Sequence, residues 1–268
     1  MDAPAVPADP AAPAVAAPAA AAPADPALPA GAAPADPALP AGVTTLLLLA
    51  DGRFPAGGHA HSAGLEAAVA AGRVTGLPEL AAFLRGRLAT AGPVTAAFAA
   101  AAYARSAGPG LQRAAGLAEL DAELDARTAA PALRLASRRQ GRALLRAGRA
   151  TWGGAGFDAA PRHPDGCHQP IALGLTGHAA GLSVAQTALV GAYGVLTGPA
   201  SAAVRLLGLD PYRTQALLSG LAGACDEVAR AAAAAADRPA ADLPAGSAPL
   251  ADIHAEVHAS WEVRLFAS

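Results

Sequence analysis

From Val43 onward, large apolar residues recur at helical spacing rather than in strict alternation. The run "TTLLLLAD" (44–51) reads as a short apolar helix or strand leading into "PAGGHAHSAGLEAAVAAG" (55–72). Ser62 is placed to cap a helix carrying Leu65, Glu66 and Val69, which Gly72 ends. Thr75 followed by Pro78 opens another, with Leu80, Phe83, Leu84 and Leu88 on one face. The pattern predicts further helices over 92–106, 111–126 and 131–150, then a loop dense in Gly and Pro over 151–170.

No Asp, Glu, Arg or Lys occurs between Asp165 and Arg205. That length suffices for a membrane span. The run nevertheless holds His168, Gln169, His178 and Gln186, and Ser183-Val-Ala-Gln186 reads as a capping box that starts a helix midway. Two buried helices with a break between them are expected, and no membrane association. Pro199 and then Asp210-Pro211 are expected to start two more, the second running into the alanines 231–236. "DRPAADLPAGSAP" (237–249) reads as a flexible linker before "LADIHAEVHASWEVRLFAS". The whole pattern predicts an all-α, single-domain helical bundle over 43–268.

Residues 1–42 have another texture: almost only Ala, Pro and Asp, with "APADPALPAG" at 22–31 and again at 33–42. Proline at this density blocks helix propagation, and no large side chains are present to build a core. A disordered Ala/Pro-rich tail is expected. Asp2 stands where a signal peptide has a basic residue, and proline interrupts any apolar core of one.

Composition supports the helical reading. The chain is 53% hydrophobic but only 4% aromatic, and alanine dominates, which suits closely packed helices better than sheets. A net charge of −2 gives no broad electrostatic basis for nucleic-acid binding. Two distant cysteines, Cys167 and Cys225, argue against a disulfide framework and fit a cytoplasmic protein.

Complete catalytic or cofactor constellations are missing from the sequence. His59 and His61 could face one metal with Cys167 or Cys225, but nothing at ligand spacing fixes such a set. His254 and His258 lie four apart in H-A-E-V-H, with the glutamate one place late for the zinc-protease arrangement. "AHSAG" (60–64) lacks the first glycine of a nucleophile elbow, so Ser62 reads as a cap rather than a hydrolase serine. There is no lysine at all, hence no phosphate loop ending in Gly-Lys. Charge clusters in one place: Glu119, Asp121, Glu123 and Asp125, followed by Arg134, Arg138, Arg142 and Arg146 at intervals of four. This is either a pair of helices neutralising each other or a stripe, with Arg138 and Arg142 at its centre, that docks an acidic partner.

Four stretches, "FPAGGHAHSAGLEAAVAAGRV" (54–74), "LDARTAAPALRLASRRQGRALLR" (124–146), "CHQPIALGLTGHAAGL" (167–182) with "SAAVRLLGL" (201–209), and "DIHAEVHASWEVRLFAS" (252–268), together resemble UreF-type urease accessory proteins. The resemblance implies an all-helical, non-catalytic protein without a cofactor, one that dimerises. It implies a scaffold bridging a UreD/UreH-type accessory protein and a UreG-type GTPase, and acting on apo-urease to assist nickel insertion. A stand-alone nickel-binding metallochaperone is the alternative. Gly57, Gly58, Ser62, Gly64, Leu65 and Glu66 match the family's G-G-[aromatic]-x-x-S-x-G-L-E pattern, which implies a partner-facing segment. His59 departs from it, standing where members have Phe or Tyr; Ala259 stands where Glu is common. The matching Arg-Leu-Phe-x-Ser end implies that Arg264, Leu265 and Phe266 anchor a partner.

Overall fold

The computed structural model describes residues 41–268. Of the tail expected over 1–42, only Ala41 and Gly42 fall within them. Ten α-helices make up the described residues, with no strand among them: α1 Val43–Ala50, α2 Leu65–Ala70, α3 Leu77–Ser106, α4 Gly110–Arg127, α5 Pro131–Trp152, α6 Gln169–Ala179, α7 Val184–Leu207, α8 Pro211–Gly220, α9 Ala222–Ala234 and α10 Pro249–Ala259. The fold is all-α, as the periodicity predicts.

Helix α3 is the central element, packed by α4, α6, α7 and α9. Its segment Ala96–Ala102, alanine throughout except for Phe98, has no exposed surface. Small residues let the neighbouring backbones come very close. A Cβ added to Gly174 on α6 would lie 2.6 Å from the Ala99 carbonyl oxygen, and one on Gly191 of α7 would lie 3.4 Å from the Ala96 Cα. An alanine-rich chain with few aromatic residues thus obtains its core from close helix contact, which keeps packing density high without bulky side chains.

Two prolines that read as breaks do not break their helices. The helices expected at Thr75-Pro78 and over 92–106 are one 30-residue element, α3, with Pro93 inside it. Pro199, expected to start a helix, lies inside α7. Proline at 199 leaves the Val195 carbonyl without its helical donor, and the Arg87 side chain approaches that oxygen instead, with Nε at 3.4 Å. The break expected in the uncharged run is present. Ser183 Oγ accepts the Gln186 amide at 3.1 Å while Gln186 Oε1 accepts the Ser183 amide at 2.7 Å, closing the capping box. Helix α7 is long and apolar enough to cross a membrane by length and composition, but 56% of its most apolar window is buried inside the protein.

In segment 237–249, expected to be a flexible linker, the first half makes packed contacts. Ala240 and Leu243 are buried. Arg127 donates to the carbonyls of Ala240 and Ala241 at 3.1 and 2.9 Å, and Arg105 to those of Ala236 and Arg238 at 3.1 and 2.8 Å. A 3-10 turn at Ala240–Asp242 stands here in place of an α-helix, and the two arginines bind carbonyls in it and just before it.

Candidate functional site

The glycine-rich stretch folds as a loop that ends in α2. Gly57 has φ +77° and precedes a 3-10 turn at Gly58–Ala60. Ala63 adopts φ +55° and Gly64 φ +87°, so the chain reverses sharply before Leu65, which is wholly buried. A left-handed alanine costs roughly 1–2 kcal/mol, and an interior arginine holds it in place. Arg87 donates from Nη1 to the Ala63 carbonyl at 2.9 Å, and burial pulls its guanidinium down to about 10. Gly64, not Ser62, occupies the cap position of α2. The Ser62 hydroxyl still accepts the Glu66 amide, at 3.2 Å, so the expected capping bond forms from two residues further out.

This loop receives the last residues of the chain. Glu66 Oε1 accepts the Leu265 amide at 2.7 Å, and Oε2 accepts the Phe266 amide at 3.0 Å. Oε2 also lies 2.8 Å from His258 Nε2. Ala267 donates to the Ala60 carbonyl at 2.7 Å, and the Ser62 amide and hydroxyl donate to Ser268 O at 2.7 and 2.9 Å. His61 Nδ1 meets Ser268 Oγ at 2.7 Å. Burial would push the Glu66 carboxyl up, but the amides of Leu265 and Phe266 and the His258 ring outweigh it and hold the group below its ordinary range. His61 is depressed by burial and then by the nearby Arg139 charge.

Phe266, which the resemblance assigns to a partner contact, packs inward here. Phe266 is buried within its own chain, and the Arg205 guanidinium lies over its ring at 4.4 Å. The same guanidinium donates to the His59 carbonyl at 2.9 Å. The physical reason is Glu66, whose two oxygens fix both tail amides and turn the Phe266 ring inward. Leu265 points the other way and stays exposed, as does Val263. Arg264 is exposed too, its Nη1 only 3.4 Å from the His258 carbonyl. His59 and Gly58 are exposed on the loop's outer side, and Gly57 is half-buried.

Helix α10 displays a second surface. Leu250, Ile253 and Val257 share one face and are about half exposed, at 45%, 60% and 50%. The helix itself is held firmly. Glu256 Oε1 accepts the Ala132 amide in the first turn of α5 at 2.7 Å, and His258 reaches Glu66. With Val263 and Leu265, these residues form an exposed set of large apolar side chains on anchored backbone.

The arginine stripe divides. Arg138 is buried and bonds Asp121 and Asp125 at 2.9 Å each and the Gly166 carbonyl at 2.8 Å. His168 completes the cluster: its amide donates to Asp121, and its ring bridges Ser137 and Asp125. Of the two readings of the stripe, the bonds of Arg138 are those of pairing between α4 and α5. Arg142 is exposed and donates to the Asp165 carbonyl at 2.9 Å. Arg139 and Arg146 are exposed as well.

For a metal, the candidate ligands are scattered. His61 is turned to Ser268, and both cysteines are free and buried. Burial pushes the Cys167 thiol up to about 12 and that of Cys225 to about 11. Among the described residues no group of three His, Cys, Asp or Glu side chains is arranged to hold a metal ion.

Sequence reasoning missed Arg87, Arg205 and the pairing of His258 with Glu66. Each acts across more than a hundred residues or between elements remote in the chain, so local spacing carries no signal for it. The α10 stripe was missed too, although positions 250, 253 and 257 have the helical spacing that would have shown it.

A family model described as UreF matches residues 74–222 of this chain. Over 226 residues the chain is 49% identical to the urease accessory protein UreF of Mycobacterium sp. (strain JLS), covering 84% of this chain and 99% of that protein. The protein of the same name from Mycolicibacterium vanbaalenii is 45% identical over the same coverage. That of Mycobacterium tuberculosis (strain H37Rv) is 40% identical, again across 84% of this chain and 99% of its own.

Proposed function

The chain belongs to the UreF family of urease accessory proteins, and on that premise we propose that it is a non-catalytic scaffold in urease maturation. It bridges a UreD/UreH-type accessory protein and a UreG-type GTPase on apo-urease, assists nickel insertion, and works as a homodimer in the cytoplasm. The observation that carries this reading is the apolar set Leu250, Ile253, Val257, Val263 and Leu265, exposed on a helix and tail that are fastened down by Glu66 and Glu256. Isolated exposed leucines are ordinary, but several large apolar side chains exposed on one helix face and the tail after it suit a protein-binding surface. The relatives carry names that describe an accessory role in urease biology, which agrees with a surface built for contact. Free, buried thiols suit a reducing compartment.

The test is pull-down of the two accessory partners and urease activation in a reconstituted system, comparing wild type with Ile253→Asp/Val257→Asp. The double variant is expected to keep its helical circular dichroism, because both side chains face outward, and to lose the UreD/UreH-type partner and urease activation together. Wild-type recovery of both partners by the folded double variant would place the scaffold's contact surface elsewhere.

A further inference from the structure

A pocket of about 200 Å³ opens where the first turn of α4 faces the ends of α5 and α6, away from the docked tail and from α10. Arg113, His178 and Leu175 line it together with Gly153, Gly154 and Gly156. Arg113 is oriented by its own backbone, since Nε donates to the Gly108 carbonyl at 3.0 Å. That bond turns Nη1 toward the glycines, where a Cβ added to Gly156 would lie 3.9 Å away. The edge of the His178 ring packs on Tyr103, with centroids 5.3 Å apart. Among the described residues, neither the His178 ring nitrogens nor the terminal nitrogens of Arg113 have a hydrogen-bond partner, and no carboxylate lines the pocket. Burial and then the Arg113 charge depress His178.

A structural explanation has to be weighed first. Helices α3, α5 and α6 all end here, and their carbonyl ends attract a cation. Much of that demand is already met by the chain. The amides of Ala180, Gly181 and Leu182 close the end of α6, those of Ala107 and Gly108 close α3, and that of Gly153 bonds Arg149 O at the end of α5. The Ser106 hydroxyl is spent on the Ala102 carbonyl. One guanidinium would complement what remains. A histidine beside it, in a pocket with no acid, goes beyond that need.

We propose that this pocket binds a small oxyanion of the phosphate or carboxylate type, gripped by Arg113 and His178 over the side-chain-free backbone at Gly153, Gly154 and Gly156. The planar fork of arginine suits such a ligand. Glycines allow it to approach the main chain closely. The space is wide enough for a small anion.

The experiment follows the His178 ring resonances by NMR in the full-length chain while inorganic phosphate, and separately acetate, is added at constant ionic strength. Saturable shifts with at least one probe are expected, together with a rise in the His178 pKa as the bound anion offsets Arg113. Arg113→Gln should weaken binding by about tenfold or more. Gly156→Asp provides the control that does not remove Arg113: its tethered carboxylate should raise the His178 pKa without added anion and block the titration. Linear, unsaturated shifts with both probes would overturn the proposal. So would equal saturation in Arg113→Gln with native circular dichroism or, if that variant does not fold, equal saturation in folded Gly156→Asp.

Discussion

The Glu66 carboxylate and the His258 imidazole, 192 residues apart in the chain, meet at 2.8 Å in a buried contact. Around that pair the same carboxylate binds the Leu265 and Phe266 amides. One side chain on α2 thus decides where α10 ends and where the tail runs.

Glu66→Gln is the sharpest test of that role. It preserves volume but removes the charge and one of the two acceptor oxygens. Hydrogen bonds to charged groups are worth about 1.5–3 kcal/mol each, so the tail should open readily while the bundle stays folded. Faster hydrogen exchange at the Leu265 and Phe266 amides, with the amides of α3 still protected, is the expected result. Unchanged protection at both tail amides would mean that other contacts hold the segment.

Acid should have the same effect as that substitution. Glu66 has a folded-state pKa below its ordinary value of 4.5. Its contribution is therefore complete above that value and is lost as pH falls from 4.5 through the depressed folded-state pKa. Trp261 stacks against His258, with ring centroids 4.8 Å apart, so tryptophan fluorescence and limited proteolysis should report release of the tail in that acid window. In Glu66→Gln the acid-dependent part of the change should disappear.

Arg138 and Arg142, four residues apart on α5, should respond in opposite ways. Arg138→Ala leaves Asp121 buried without its cation, which typically costs about 3–5 kcal/mol; chemical denaturation should show it. Arg142→Glu lies at the surface and should shift stability by no more than about 0.5 kcal/mol. If the exposed arginines dock an acidic partner, Arg142→Glu with Arg146→Glu should weaken that complex in pull-down and leave the melting temperature nearly unchanged.

Gly141 sits against the backbone that carries His168. A Cβ there would fall 2.1 Å from the Cys167 carbonyl oxygen, a distance that only backbone movement can relieve. Gly141→Ala should therefore cost about 1–3 kcal/mol or more through overpacking, and should disturb the Asp121–His168 contacts. A melting temperature equal to wild type would show that the 166–168 backbone yields freely.

What could be read from the sequence follows physical range. Helix existence, the Ser183-Gln186 capping box and the cap at Asp210, whose side chain accepts the Tyr212 amide, are set by neighbours within four residues. Proline was misleading at 199 because tolerance inside a helix depends on the surroundings, as with Arg87 beside the Val195 carbonyl. The tail was recognised as apolar and significant, but its direction was not. Whether Phe266 faced a partner or its own chain depended on Glu66, which was read only as part of a helix start and of a partner-facing segment. The arginine repeat had two readings, and burial of Arg138 selected pairing for that residue alone.

The Glu66 site also has a schedule. Its partner Phe266 is encoded 200 residues later, and at translation speeds of about 5–20 residues per second that separation is on the order of 10–40 s. During synthesis, the acid on α2 and the left-handed turn before it exist without the amides that stabilise them. The loop and α2 therefore lack these bonds while α3, α4 and α5 emerge, and gain them only when residues 265–268 arrive. A ribosome stalled after α9 would hold a bundle with this corner still unmade.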